Sequence, residues 1–202
     1  MPDRRQLILG AGGVLAAMAG TLALGAWRSR GDETSSLNPV LPLPFQAMGW
    51  RLTDHQGRLV TAQNWLGRPA MVFFGFTWCP DVCPTTLMDI ALWLEELGDD
   101  AEQLTVALIS VDPARDTPEV LAEYVAMFDP RILGLTGSDA QIAQAAADFR
   151  IRYERIERED GDYTMNHTAG VFLFRADGSF AGIIDFHEDR QFAVPKIRRT
   201  LT

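Results

Sequence analysis

The chain has 202 residues, with 27 acidic side chains against 18 basic ones and a net charge of −9. Residues 1–30 hold four arginines and one aspartate, which leaves −12 on residues 31–202. So acidic a region repels nucleic acid and anionic lipid and favours cations or basic partners.

Leu7 to Trp27 is a run of 21 residues without a charge, and a helix needs about 20 apolar residues to cross a bilayer core. The run exceeds the roughly 7–15-residue apolar region of a cleaved signal peptide. Residues 1–27 are therefore expected to be a retained single-span anchor. A cleaved export signal of twin-arginine type, suggested by Arg4-Arg5, is the alternative. Residues 28–44 are polar and then proline-punctuated, and read as a tether. Residues 45–202 are long enough for one domain with a real core.

Within that domain, "GWRLTDHQGRLVT" alternates on both sides of a turn at His55-Gln56-Gly57, which predicts a hairpin. "RPAMVFFGF" is a continuous apolar run and predicts a strand buried on both faces. Leu87, Ile90, Ala91 and Leu94 then recur at helical spacing, with the helix ending near Gly98. "QLTVALISVD" is a second buried strand, followed by a helix capped by Thr117 with Pro118 in its first turn. "RILGLTG" reads as a short strand and "SDAQIAQAAADFRI" as a helix capped by Ser138. The stretch from there to His167 reads as a loop. Two strands joined through Asp177-Gly178 and an amphipathic helix, "RQFAVPKIRRTL", close the domain. This order predicts an α/β fold, a thioredoxin-like sandwich with an N-terminal hairpin.

The chain's two cysteines, Cys79 and Cys83, stand at the carboxyl end of the first buried strand and the start of the next helix. Helix N-terminal N–H groups favour thiolate there, the form that is both nucleophile and metal ligand. Thioredoxin-type exchange uses C-x-x-C, whereas the spacing here is C-x-x-x-C. On a regular helix, positions i and i+4 put the Cβ atoms about 5–6 Å apart. A disulfide wants roughly 3.5–4.5 Å. A cation at about 2.3 Å from each sulfur spans the wider gap. Pro80 and Pro84 disturb the first turn, so a disulfide staple, a redox dithiol and a metal site all stay open.

Of the three histidines, His55 and His187 lie in polar, charged surroundings and read as surface residues. His167 stands at the mouth of a buried strand, where thioredoxin-like oxidoreductases carry a proline facing the cysteine turn. Two soft thiolates and one imidazole suit copper, as Cu(I) or as Cu(II) with an added oxygen. A closed structural zinc site wants a fourth ligand that is not evident.

Four stretches, "GFTWCPDVCPTTL", "ISVDPARDTPEVLAEY", "ILGLTGS" and "YTMNHTAGVFLFRADGSFAGIID", together resemble the Sco/SenC family of membrane-anchored copper proteins with a thioredoxin fold. The resemblance runs from about residue 45 to residue 200. It implies a copper chaperone that helps to build the dinuclear copper site of cytochrome c oxidase, with Cys79, Cys83 and His167 as ligands. Asp112 and Asp116 fall in the family's "DPxRDTP" stretch and are read as shaping the turn before the helix. Trp78 stands where the family often has histidine, and Asn166 where it often has aspartate, which should slightly lower the preference for Cu(II).

The expected function is binding and transfer of copper rather than turnover. The alternative is a thiol–disulfide oxidoreductase that keeps the oxidase's copper-ligand cysteines reduced. The implied partners are the oxidase copper-site subunit, a copper donor protein, a thiol reductant and the membrane. Asp3 does not suit a mitochondrial transit peptide. The expected location is therefore a bacterial inner membrane, with the domain in the periplasm.

Overall fold

The structure is a computed structural model and describes residues 41–201. The expected anchor, and all of the expected tether before Leu41, lie outside the described residues. Among the described residues no helix is long and apolar enough to cross a membrane.

The predicted hairpin forms as β1 (Arg51–Asp54) and β2 (Leu59–Thr61), paired antiparallel around a turn that Gly57 closes at φ 79°. β3 (Ala70–Gly75) is buried at every position, as its unbroken apolar run requires. α1 (Val82–Leu97) follows and ends at Gly98, whose φ of 59° is left-handed. β4 (Thr105–Ser110), α2 (Pro118–Ala126), β5 (Ile132–Thr136) and α3 (Asp139–Phe149) complete the middle of the domain. Thr117 caps α2 by accepting from the Val120 N–H, and Ser138 with Gln141 forms a capping box on α3. After β6 (Tyr153–Glu157) and β7 (Tyr163–His167) come β8 (Val171–Phe174), β9 (Phe180–Ile184) and α4 (Arg190–Arg198).

Seven strands make one mixed sheet in the order β2-β1-β5-β4-β3-β8-β9. β3, β4 and β5 run parallel, and β8 joins β3 antiparallel. This is the thioredoxin-like arrangement predicted. Residues 41–44 pack onto the domain: the Leu43 N–H donates to the Asp148 carbonyl at 2.9 Å. Beyond them, the Phe45 N–H donates to the Gly178 carbonyl at 3.0 Å.

One segment departs from the prediction. The stretch read as a loop before His167 holds a separate two-stranded sheet, β6–β7, with Tyr153 opposite His167 and Glu157 opposite Tyr163. His167 is therefore the last residue of a strand. The Asp160-Gly161 turn carries the missed signal, with Gly161 at φ 82°.

Gly75 ends β3 directly beneath the cysteine turn. A Cβ there would lie 2.8 Å from Phe73 Cε1, 3.1 Å from Cys83 Sγ and 3.2 Å from Leu108 Cδ1. Overpacking of this kind costs about 1–3 kcal/mol. Gly75→Ala is accordingly expected to lower unfolding stability by about that amount in a urea titration. A variant as stable as the parent would show that the floor under Cys83 yields.

Candidate metal centre

α1 begins at Val82, so Cys83 lies in its first turn while Cys79 stands outside it. The spacing of a regular helix therefore does not set the distance between the sulfurs. Instead the Cys83 N–H donates to Cys79 Sγ at 3.3 Å, so that the thiolate sulfur takes one of the helix's otherwise unpaired donors. Both cysteines are free thiols. Cys83 is fully buried, and Cys79 is half-buried at the surface.

The pair divides the work of ionisation. The side-chain hydrogen bond from the Cys83 thiol to Cys79 is the largest cause, and with the Cys83 and Asp81 N–H groups it outweighs partial burial. Together they hold the Cys79 thiol down at about 4. Cys83 is pushed up by the same contact, by its own burial and by the neighbouring charge of Cys79. The helix N-terminus, the cause the sequence points to, contributes less to this lowering than the partner thiol does.

The second half of the site comes from β7. His167 Nε2 lies 3.4 Å from Cys83 Sγ, and His167 Nδ1 lies 3.0 Å from the Thr168 carbonyl. A carbonyl only accepts, so Nδ1 carries the proton in the neutral ring and the Nε2 lone pair faces the sulfur. Phe73 and Phe76 meet the imidazole edge-on, with centroids at 6.0 and 5.9 Å. Neither the carbonyl nor the two rings was visible as a site feature in the sequence.

The other two histidines stay apart from this site. His55 Nδ1 accepts from the Gly134 N–H at 3.0 Å beside the first hairpin. His187 is exposed, with its Nδ1 3.6 Å from Asp89 Oδ2. Met165 packs against the core.

Asp116 is buried and ties the cysteine turn to the sheet. It accepts from Thr77 Oγ1 at 2.6 Å and from Ser110 Oγ at 2.5 Å. Burial raises its carboxyl above the usual range, against those hydrogen bonds. Asp112 accepts from the Tyr163 hydroxyl at 2.8 Å. The turn before α2 is closed instead by the Asp112 backbone carbonyl, which accepts from the Arg115 and Asp116 N–H groups at 3.1 and 3.0 Å, while the two carboxylates reach across to the cysteine turn and to β7.

The donor set fits copper: two sulfurs and an imidazole whose free lone pair already faces one of them. It is not a finished cage. Among the described residues no three or more His, Cys, Asp or Glu side chains are gathered around a common point so as to hold a metal ion. Direct contacts through Cys83 are what bring the trio together.

The SCO1/SenC family model matches residues 44–202. The chain belongs to the SCO1/SenC family. Human "Protein SCO1 homolog, mitochondrial" is 39% identical over 145 residues, which are 70% of this chain and 46% of that protein. The matched segments span about half the length of the mitochondrial relatives, 52% and 46% in two cases. Among solved structures, Bradyrhizobium japonicum ScoI with copper bound superposes with a TM-score of 0.71 at 38% identity. That match covers 80% of this chain and 99% of ScoI. BsSco, described as a member of the Sco family of cytochrome c oxidase assembly proteins, shares the fold at 20% identity and a TM-score of 0.63. It covers 80% of this chain and 96% of that one. The family thus includes structures solved with copper in place.

Proposed function

We propose that this chain is a membrane-anchored metallochaperone. It takes copper onto Cys79, Cys83 and His167 and passes it to the copper-site subunit of cytochrome c oxidase, where the dinuclear copper site is built. The observation that carries this reading is the orientation of His167. Its Nε2 lone pair is aimed at Cys83 Sγ at 3.4 Å while Nδ1 is held by a carbonyl. Thiol exchange needs no such lone pair, whereas a third ligand does.

In this reading copper is cargo. Cys79, already a thiolate at neutral pH, meets the incoming ion; Cys83 gives up its proton, and His167 completes a trigonal set. Release runs by ligand exchange onto the acceptor's thiolates. The proposal includes a copper donor, a reductant that keeps the dithiol reduced in an oxidising compartment, and a bacterial inner-membrane anchor over residues 1–27. The uncharged 21-residue run supports the anchor.

A second reading rests on a different observation. A free dithiol with one thiol held at about 4 is also suited to thiol–disulfide exchange. The test titrates the reduced full-length chain with Cu(I) against a competing chelator, beside His167→Ala, while both are assayed for reduction of a partner disulfide. The expected result is one copper per chain, held at least about tenfold more weakly in His167→Ala, since even outer-shell losses cost about 10–100-fold. Unchanged copper affinity in His167→Ala with intact disulfide exchange would transfer the function to the second reading.

A further inference from the structure

Arg115 lies in the turn between β4 and α2, at a position the copper chemistry does not use. Its side chain is only 15% exposed. One guanidinium nitrogen donates to Asp162 Oδ1 at 2.8 Å and to the Tyr163 carbonyl at 3.0 Å. Nε lies 3.6 Å from Asp112 Oδ2, a buried oxygen with no hydrogen-bond partner.

The same guanidinium lies over two aromatic rings. Its Cζ lies 3.4 Å from the Tyr163 ring centroid and 5.2 Å from that of Trp78. Arg155 Cζ lies 3.7 Å from the same Tyr163 centroid. Two guanidinium groups that close cannot share one face, so the tyrosine ring is clamped on both sides. The tyrosine hydroxyl is in turn held by Asp112.

The two ends of this stack matter. Trp78 directly precedes Cys79 and is 63% exposed. Tyr163 opens β7, the strand that ends in His167. β7 belongs to the small β6–β7 sheet and forms no ladder with the main sheet. Just past His167 the chain joins the main sheet, where β8 pairs with β3 from Val171, whereas the head of β7 is held by side chains, those of Arg115 and Asp112 among them. Tyr163 and His167 are four residues apart and so lie on the same face of β7, and a contact that fixes the one bears on the placing of the other.

We propose that Arg115 is a positioning residue that sets the separation of the His167 imidazole from the dithiol, by binding Trp78 on one side and the head of β7 on the other. The exposed Trp78 ring thereby becomes the outer end of a chain of contacts that leads to His167. Lysine cannot replace Arg115, because an ammonium offers neither a planar face for the rings nor a fork for Asp162 and the Tyr163 carbonyl.

This inference rests on the copper reading for one of its two readouts, and the other is free of it. Cu(I) competition on the full-length chain compares Arg115→Met and Arg115→Lys, each alone and combined with His167→Ala. An outer-shell loss of roughly 10-fold is expected for both in the wild-type background, and about twofold or less once His167 is gone. Equal losses in the two backgrounds, or recovery by Arg115→Lys, would overturn the proposal in favour of a general structural role. In the metal-free chain, the His167 ring resonances are followed by NMR, with circular dichroism reporting the fold. They are expected to shift in Arg115→Met. If that variant does not fold, Trp78→Leu at the exposed end of the stack is expected to move the same resonances; resonances that stay in place refute the coupling. A wild-type chain that holds no Cu(I) defeats the proposed function, and the metal-free resonances then decide the role of Arg115 alone.

Discussion

Cys79→Ser is expected to hold Cu(I) at least about 100-fold more weakly than the wild-type chain, and Cys83→Ser likewise, because loss of a proposed direct ligand should exceed the roughly 10–100-fold cost of outer-shell changes. A serine hydroxyl is a hard oxygen that stays protonated at neutral pH, and Cu(I) prefers soft, negatively charged sulfur. The two variants fail for different reasons. Cys79→Ser removes the sulfur that is already charged, together with the acceptor of the Cys83 N–H. Cys83→Ser removes the contact that places sulfur and imidazole side by side. The check is competition against a chelator of known Cu(I) affinity with the dithiol fully reduced. A loss below tenfold in either variant would mean that copper sits elsewhere.

Without metal, the ultraviolet absorbance of thiolate is expected to report one ionised sulfur per chain from about pH 5 upward, with a midpoint at about 4. In Cys83→Ala that midpoint climbs by several pH units toward the ordinary value of 9.0, because the largest cause of the lowering is the Cys83 thiol itself. The linkage to stability has a definite sign. A group whose folded value is depressed contributes stability that is fully present above its unfolded value of 9.0 and is lost as pH falls through about 4. Cys83, shifted the other way, works against folding only above 9.0. The reduced wild-type chain should therefore gain thermal stability from this pair between about pH 4 and 9, and Cys83→Ala should lose that gain. An unmoved titration in Cys83→Ala would place the cause in the helix N-terminus instead.

How much of this was legible beforehand follows from what each element relies on. β3 and β4 are strands because their apolar runs can only be buried on both faces, and the caps at Thr117 and Ser138 act locally, so short windows reveal them. The β6–β7 hairpin hides because its strands bury almost nothing, and "YERIEREDGDY" shows charges rather than an apolar alternation. The trio itself stood out through scarcity: two cysteines, and a histidine at the mouth of a buried strand. The regular-helix estimate of the cysteine spacing failed because Cys79 lies before α1 rather than on it. Arg115 and the Thr168 carbonyl act through neighbours distant in sequence or through the backbone, and no spacing rule reports either.

Gly75 gives the dithiol a front and a back. With no side chain on that residue, the Cys83 sulfur sits against the end of β3 and is fully buried, while Cys79 stays within reach. Any visiting thiolate, whether it comes to receive copper or to exchange a disulfide, must engage Cys79 first, and Cys83 can only answer from inside. Traffic through the site is thereby ordered: one sulfur serves as the door and the other as the room behind it, and an incoming partner has a single side from which to approach.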